Sequence, residues 1–333
     1  MAAPRAGRTL KVSVESRLAQ GVGFASAHHG EILQGVFYDD KGKLRRGLVT
    51  LGFAERGSHA TFYPYAMRTD IVSSPGMLKA CRAASLAMEE LATDHSPVIG
   101  GHIDISSNVP RGMGMGSSTA DVTAAIRAIA DFHGVTPSAE KISKIAVRAE
   151  RACDPIMIDD EAVLFAQREG VVLETFGHGL PRMIVVGCNA DPGIACIDTL
   201  ALTPAMYTGA DVEHFSFLRA ELRVAVVNGD VARLGMVATG SALISQRFLP
   251  KPALEFLLDV CRSCGGCGVQ VAHSGTVAGV IFDSRDHRVT TSVEHCIRRI
   301  EKAGLPLTGV IGHRGAVPDA DPWRSSPPTR LAW

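Results

Sequence analysis

The 333-residue sequence has no surplus of charge of either sign: 34 Lys and Arg stand against 34 Asp and Glu. Nucleic acid and anionic membrane both recruit proteins through a basic field, so the balance argues against either as the main partner. The first fifteen residues contain no apolar core of the kind a secretory signal carries, and no signal is expected. No run of eighteen apolar residues occurs, which leaves nothing to cross a membrane as a helix. No internal repeat is found. The eight cysteines are scattered and, without a signal, read as reduced thiols of a cytoplasmic protein. What is present is an ordinary globular composition, 46% apolar and 20% charged, in a chain long enough for two domains.

Residues 9–24 and 47–66 read as strands, with polar turns between them. Met77–Ala92 carries apolar residues at helical spacing. The stretch from Val98 reads as a strand ended by Pro110. A helix follows over Ala120–His133, with Val122, Ile126 and Ile129 on one stripe and Gly134 as its stop. Ser138 is placed to cap the next helix. After a strand at Pro181–Asn189 the order becomes three helices, two strands, a helix and a last strand near Leu307–Ile311. That order predicts an α+β second domain, with the boundary near 188–205.

Between the strand and the helix lies "NVPRGMGMGSSTAD", Asn108 to Asp121. Backbone approaches a ligand closely only where no Cβ intervenes, and glycine accepts the positive φ such a loop needs. The first N–H groups of a helix lack internal partners and carry partial positive charge. Gly112, Gly114 and Gly116 running into a helix therefore predict a phosphate cradle. The hydroxyls of Ser117 and Ser118 are placed to cap that helix or to reach a Mg²⁺ ion held by phosphates. The run is not a P-loop, since no Lys follows its last glycine, and its glycine spacing is not the dinucleotide fingerprint. A glycine-rich turn with an ordinary serine cap is the plain alternative.

Pro110-x-x-x-Gly114-x-Gly116-Ser117-Ser118 resembles the signature of the GHMP small-molecule kinases, with Met115 where leucine is usual. "GMGSSTAD", "GEILQG" at Gly30–Gly35, "SQRFLPKP" at Ser245–Pro252 and "GVQVAHSGTVAGVIFD" at Gly268–Asp283 together look like the L-threonine kinase branch that serves cobalamin biosynthesis. The resemblance implies a two-domain α+β GHMP kinase fold. Its N-terminal ATP-binding domain would be ribosomal protein S5 domain 2-like and cover 1–190. Its C-terminal domain, a ferredoxin-like α/β sandwich, would cover 191–315, and 316–333 reads as a disordered tail. Three departures stand out: His28 and His29 precede Gly30-Glu31 where the family usually has Asn; "TLGF" (Thr50–Phe53) stands where the threonine kinases read differently, which points to a different hydroxy amino acid if that segment shapes the acceptor pocket; and "AHSGTVAG" fills the third motif, usually rich in glycine.

The resemblance also implies roles. ATP would lie on Pro110, Gly112, Met113, Gly114, Met115, Gly116, Ser117, Ser118 and Thr119. Mg²⁺ would be held by Ser118 and Glu150. Asp154 would be the base, or the orienter, of the acceptor hydroxyl. Glu31, His28, His273, Ser274 and Gly275 would lie on the acceptor side, though each histidine reads first as structural. Glu150 and Asp154 stand four residues apart at a helix end, close enough to face one side. This is one residue more than the branch shows, which leaves Asp159, Asp160 or Glu161 as alternatives to Asp154. Asp121 reads as a capping-box acid for Ser118 or as a metal contact. A solvated helix-end charge is the bland alternative for every one of these acids.

Cys261-x₂-Cys264-x₂-Cys267 has the spacing of a metal site, but no further ligands follow at a matching interval, and small residues at a helix end are the expected reading. The chain is thus expected to be an ATP-dependent kinase acting on the side-chain hydroxyl of L-threonine or a close relative, with a homodimer as the assembly considered. A GHMP kinase for another small alcohol, such as a sugar or homoserine, is the alternative within the class. A binding protein that kept the fold and lost catalysis is the alternative outside it.

Overall fold

The computed structural model describes residues 19–65, 68–93, 98–158, 161–194 and 206–312. The first part of the strand expected at 9–24, the boundary segment 195–205, the tail 316–333 and the acids Asp159 and Asp160 lie outside the described residues.

Two long antiparallel strands, β1 (Gly21–Tyr38) and β2 (Leu44–Pro64), form the spine. β2 continues outward to β4 (Gly101–Ser107), which pairs in parallel with the short β3 (Ile71–Ser73). A side hairpin of β5 (Val163–Ala166) and β6 (Val171–Thr175) joins β2 at Leu48. On the other flank, β8 (Gly268–Val271), β9 (Val277–Asp283), β7 (Met183–Asn189) and β10 (Leu307–Ile311) extend the sheet, giving the order β10-β7-β9-β8-β1-β2-β4-β3. A single pair, Glu31 with Val271, stitches β1 to β8. β7 therefore lies between two strands of the last third of the chain.

Helices cover the sheet in two groups. α1 (Leu78–Leu91), α2 (Ser117–His133) and α3 (Ala139–Glu150) pack with β1, β2 and β4 around Phe62, Ile103, Ile126 and Ile129. α4 (Gly209–Asn228) and α5 (Val231–Ser245) pack on β1 and β8 around Phe37 and Phe215. α6 (Leu254–Cys264) and α7 (Val289–Lys302) cover β7 and β9. The local signals behave as their chemistry requires. Gly134 ends α2 in the left-handed conformation, and the Ser138 side chain accepts the Lys141 N–H at the start of α3.

One expectation fails. The polar turns placed after residue 24 are strand through Tyr38, and the "GEILQG" motif lies within it. Residues 27–35 are buried without interruption, because sheet and helices cover both faces. Such a strand loses the alternation from which a strand is read.

Candidate active site

The loop after β4 turns into α2 through three glycines at φ +75°, +81° and +71°, at Gly112, Gly114 and Gly116. Gly116 itself caps α2, with no side-chain cap. The expected capping by Ser117 or Ser118 therefore does not occur, and the first N–H groups of α2 stay free of a side-chain acceptor at the cap. An anion is the natural partner of such a terminus.

The glycines also serve contacts inside the protein. A Cβ on Gly114 would stand 2.6 Å from Ala272 Cβ and 2.8 Å from Gly275 Cα, and one on Gly116 would stand 2.2 Å from His28 Cδ2. A Cβ on Gly275 would meet Gly114 N at 2.1 Å. Two glycine loops thus pass backbone to backbone. They are tied by the Met113 carbonyl, which accepts the N–H groups of Thr276 at 2.9 Å and Val277 at 3.1 Å. The carbonyl of buried Met115 accepts the His28 N–H at 3.2 Å. Ser274 lies in the same loop as Gly275, and Pro110 opens the turn before Gly112.

At the first turn of α2 the Ser118 hydroxyl donates to Glu150 Oε2 at 2.5 Å, and the Thr119 hydroxyl donates to Glu150 Oε1 at 2.9 Å. Lys79 on α1 brings Nζ to 3.3 Å from Ser118 Oγ and 3.9 Å from Glu150 Oε2. Burial pushes the Glu150 carboxyl up to about 7, against the pull of the two hydroxyls. A hydroxyl and a carboxylate side by side at an open helix N-terminus, with Ser118 half-buried, suit a small hard cation that arrives with phosphates. Asp121 is not a capping-box acid for Ser118, because the cap of α2 is Gly116. It is buried, accepts from Ser58 Oγ at 2.6 Å and lies 3.5 Å from Arg111 Nη2, and so braces β2 and the turn against α2.

Asp154 comes to this cluster by a different route than helical spacing. α3 ends at Glu150, and Arg151 turns the chain at φ +71°. The acids converge through Thr119, whose Oγ1 accepts the Asp154 N–H at 3.4 Å while it donates to Glu150. On its far side Asp154 accepts from His28 Nε2 at 3.0 Å. Beyond His28 stands Glu31, whose Oε1 is 3.9 Å from His28 Nδ1. Glu31 in turn accepts the His273 backbone N–H at 2.6 Å and His273 Nδ1–H at 2.8 Å.

Charge is set by this alternation. Burial alone would raise the Asp154 pKa, but the charge and hydrogen bond of His28, with smaller help from His273, outweigh it and leave Asp154 at about 2. Burial opposes a charge on His28, yet Asp154 and then Glu31 raise its pKa overall. Burial likewise opposes a charge on His273, and Glu31 overcomes it to reach about 9. His29 points the other way, between Gln270 at 2.8 Å and Thr308 at 2.7 Å, and burial lowers it to about 3. His29 is structural.

Sequence reasoning missed Lys79, which lies 39 residues before Ser118 and meets it only because α1 packs along α2. It also missed Lys251 in "SQRFLPKP", which is 2% exposed and whose pKa burial lowers to about 8, with Glu31 and Asp191 opposing. Glu161 is exposed and lines a cleft of about 790 Å³ together with Thr50, Leu51, Phe53, Pro155 and Ile156. Cys261 and Cys264 face the core from α6, and burial raises Cys261 to about 11.

Comparison with known proteins matches these features. Residues 79–162 fit the family described as GHMP kinases N terminal domain, a span that runs from Lys79 past the glycine loop, Glu150 and Asp154. The chain is 31% identical over 201 residues to an L-threonine kinase of Citrobacter freundii, covering 56% of this chain and 64% of that protein. It is 29% identical over 206 residues to an L-threonine kinase of Salmonella typhimurium, covering 56% of this chain and 61% of that protein. Over residues 79–162 the chain is similar to the GHMP kinase N-terminal domain. The match spans about three-fifths of the length of these curated relatives. The GHMP fold extends over almost the whole chain: a homoserine kinase from Cytophaga hutchinsonii superposes with a TM-score of 0.63 at 14% identity, covering 90% of this chain and 97% of that one. Among the described residues no helix is long and apolar enough to cross a membrane.

Proposed function

We propose that this GHMP-fold chain is an ATP-dependent kinase that moves the γ-phosphoryl group to the side-chain hydroxyl of L-threonine or a closely related hydroxy amino acid, giving an O-phospho amino acid. The single observation that carries the reading is the convergence of Ser118, Glu150 and Asp154 on one open helix N-terminus.

Phosphoryl transfer needs positioning and charge neutralisation more than covalent chemistry. The N–H groups that open α2 and the backbone of Gly112–Gly116 would take the phosphate oxygens. Ser118 and Glu150 are the residues that would hold Mg²⁺, which would supply neutralisation of phosphate charge. Lys79 adds a fixed positive charge beside the same hydroxyl. Asp154, ionised at any physiological pH, is a weak base and a strong hydrogen-bond acceptor. Its part is to orient the acceptor O–H and to receive the proton once the bond to phosphorus has largely formed.

The threonine assignment is supported by the two curated L-threonine kinases at 31% and 29% identity. The cleft beside Thr50–Phe53 adjoins Asp154 through Pro155 and is a natural approach for the acceptor. Incubation with ATP and Mg²⁺ against a panel of hydroxy amino acids, homoserine and sugars, with products identified by mass, tests the reading. An O-phospho amino acid is the expected product. A phosphorylated sugar would move the assignment within the class, and no transfer to any acceptor would reject the kinase reading.

A further inference from the structure

His28 is buried. It is 1% exposed, and both ring nitrogens point at acids: Nε2 at Asp154, 3.0 Å away, and Nδ1 toward Glu31 Oε1, 3.9 Å away. Nδ1 makes no hydrogen bond, which is uncommon for a buried polar atom. Glu31 is also 1% exposed, and its carboxylate is closed off on the far side by His273 through two hydrogen bonds. The four side chains form a row of alternating sign: Asp154, His28, Glu31, His273. A buried charge is tolerated when it is paired, and a row of this kind pairs every inner member twice.

The backbone is bent to make the row. In a regular strand, residues three apart face opposite sides. His28 and Glu31 share a side because β1 shifts register between them, at Gly30 with φ +65°. At that φ a side chain is strained, and a Cβ on Gly30 would stand 2.3 Å from Gln270 Oε1 and 3.0 Å from Ala272 N. The irregularity sends His29 to the structural side and brings Glu31 under His28.

We propose that Glu31 and His273 are positioning residues for phosphoryl transfer: His273 fixes the Glu31 carboxylate, Glu31 joins Asp154 in holding His28 as an imidazolium, and His28 in turn holds Asp154 ionised and aimed at the acceptor hydroxyl. The inference rests on the role given to Asp154 under the kinase reading. Its end point, His273, sits in the loop whose Gly275 packs on Gly114, so the row also ties the acceptor-side carboxylate to the phosphate loop. The groups facing His28 are Asp154, Glu31 and His273, with Lys251 acting on the outer pair.

The test combines kinetics with ¹⁵N NMR of the histidine rings in the full-length protein. In the parent protein at neutral pH, His28 should carry a proton on both nitrogens. In Glu31→Gln it should become neutral with one tautomer. kcat should fall by about tenfold or more, the scale on which supporting hydrogen bonds act, with KM for ATP nearly unchanged. His273→Gln, at a partly exposed side chain, loses the Nδ1–H bond that fixes Glu31 and should give a smaller fall in kcat, which covers the case in which Glu31→Gln does not fold. A neutral His28 ring in the parent protein would overturn the proposal, as would unchanged kcat and a doubly protonated ring in both variants. If the parent protein phosphorylates nothing yet shows the His28 imidazolium collapsing in Glu31→Gln, the kinase reading fails and the charge row stands.

Discussion

Ser118 and Glu150, 32 residues apart in sequence, meet through a 2.5 Å hydrogen bond at the first turn of α2. Lys79 closes the same corner from α1. If this pair holds Mg²⁺, Glu150→Gln should raise the Mg²⁺ concentration needed for half-maximal activity by about tenfold or more. Thermal melts would show that the fold persists, and titration of activity against Mg²⁺ reads the effect. An unchanged requirement would remove Glu150 from the metal.

Gly275 and Gly114 set the distance between the two loops of the site. Gly275→Ala places a Cβ about 2.1 Å from Gly114 N, against backbone that cannot step aside cheaply. The loops must part, at a cost of about 1–3 kcal/mol in stability, and ATP affinity should fall with it. Gly114→Val should act the same way, since the room its side chain needs is taken by Ala272 and Gly275. Calorimetric ATP binding and a melting curve on each variant check this. Full stability with normal ATP affinity in Gly275→Ala would contradict the loop contact.

Stability should depend on pH with opposite signs at two histidines. His273 is raised to about 9, so its contribution is complete below the unfolded value near 6.5 and is lost as pH rises through 9. His29 is lowered to about 3 and must be neutral in the fold, so stability is lost as pH falls from about 6.5 toward 3. Melting temperatures of the parent protein and of His273→Gln should therefore diverge most at acid pH and converge above pH 9. Those of the parent protein and His29→Gln should change relative to each other only below about pH 6.5. A difference curve of the reverse sign at either residue would refute its assigned charge state.

Much of this was legible because it is local. The glycine run, Gly134 and Ser138 act through backbone angles and caps within a few residues, and α2 and α3 fall where those signals place them. Glu150 was legible through the family resemblance, and the structure brings it to Ser118. What the sequence hid is what tertiary packing decides. β1 is buried on both faces and shows no alternation. Lys79 reaches Ser118 only through the packing of α1 on α2, and Asp121 is drawn to Ser58 on β2, which no local pattern encodes. The His28–Glu31 row depends on a register shift at Gly30 that reads in the sequence as one more glycine.

The central claim is that Asp154, held ionised by His28, directs an acceptor hydroxyl at ATP. Steady-state kinetics with L-threonine on the parent protein and Asp154→Asn test it most directly. The parent protein should form O-phosphothreonine, and Asp154→Asn should lose about 10²-fold or more in kcat while KM for ATP stays nearly constant. Near-normal turnover in Asp154→Asn, with a melting curve like that of the parent, would contradict the account.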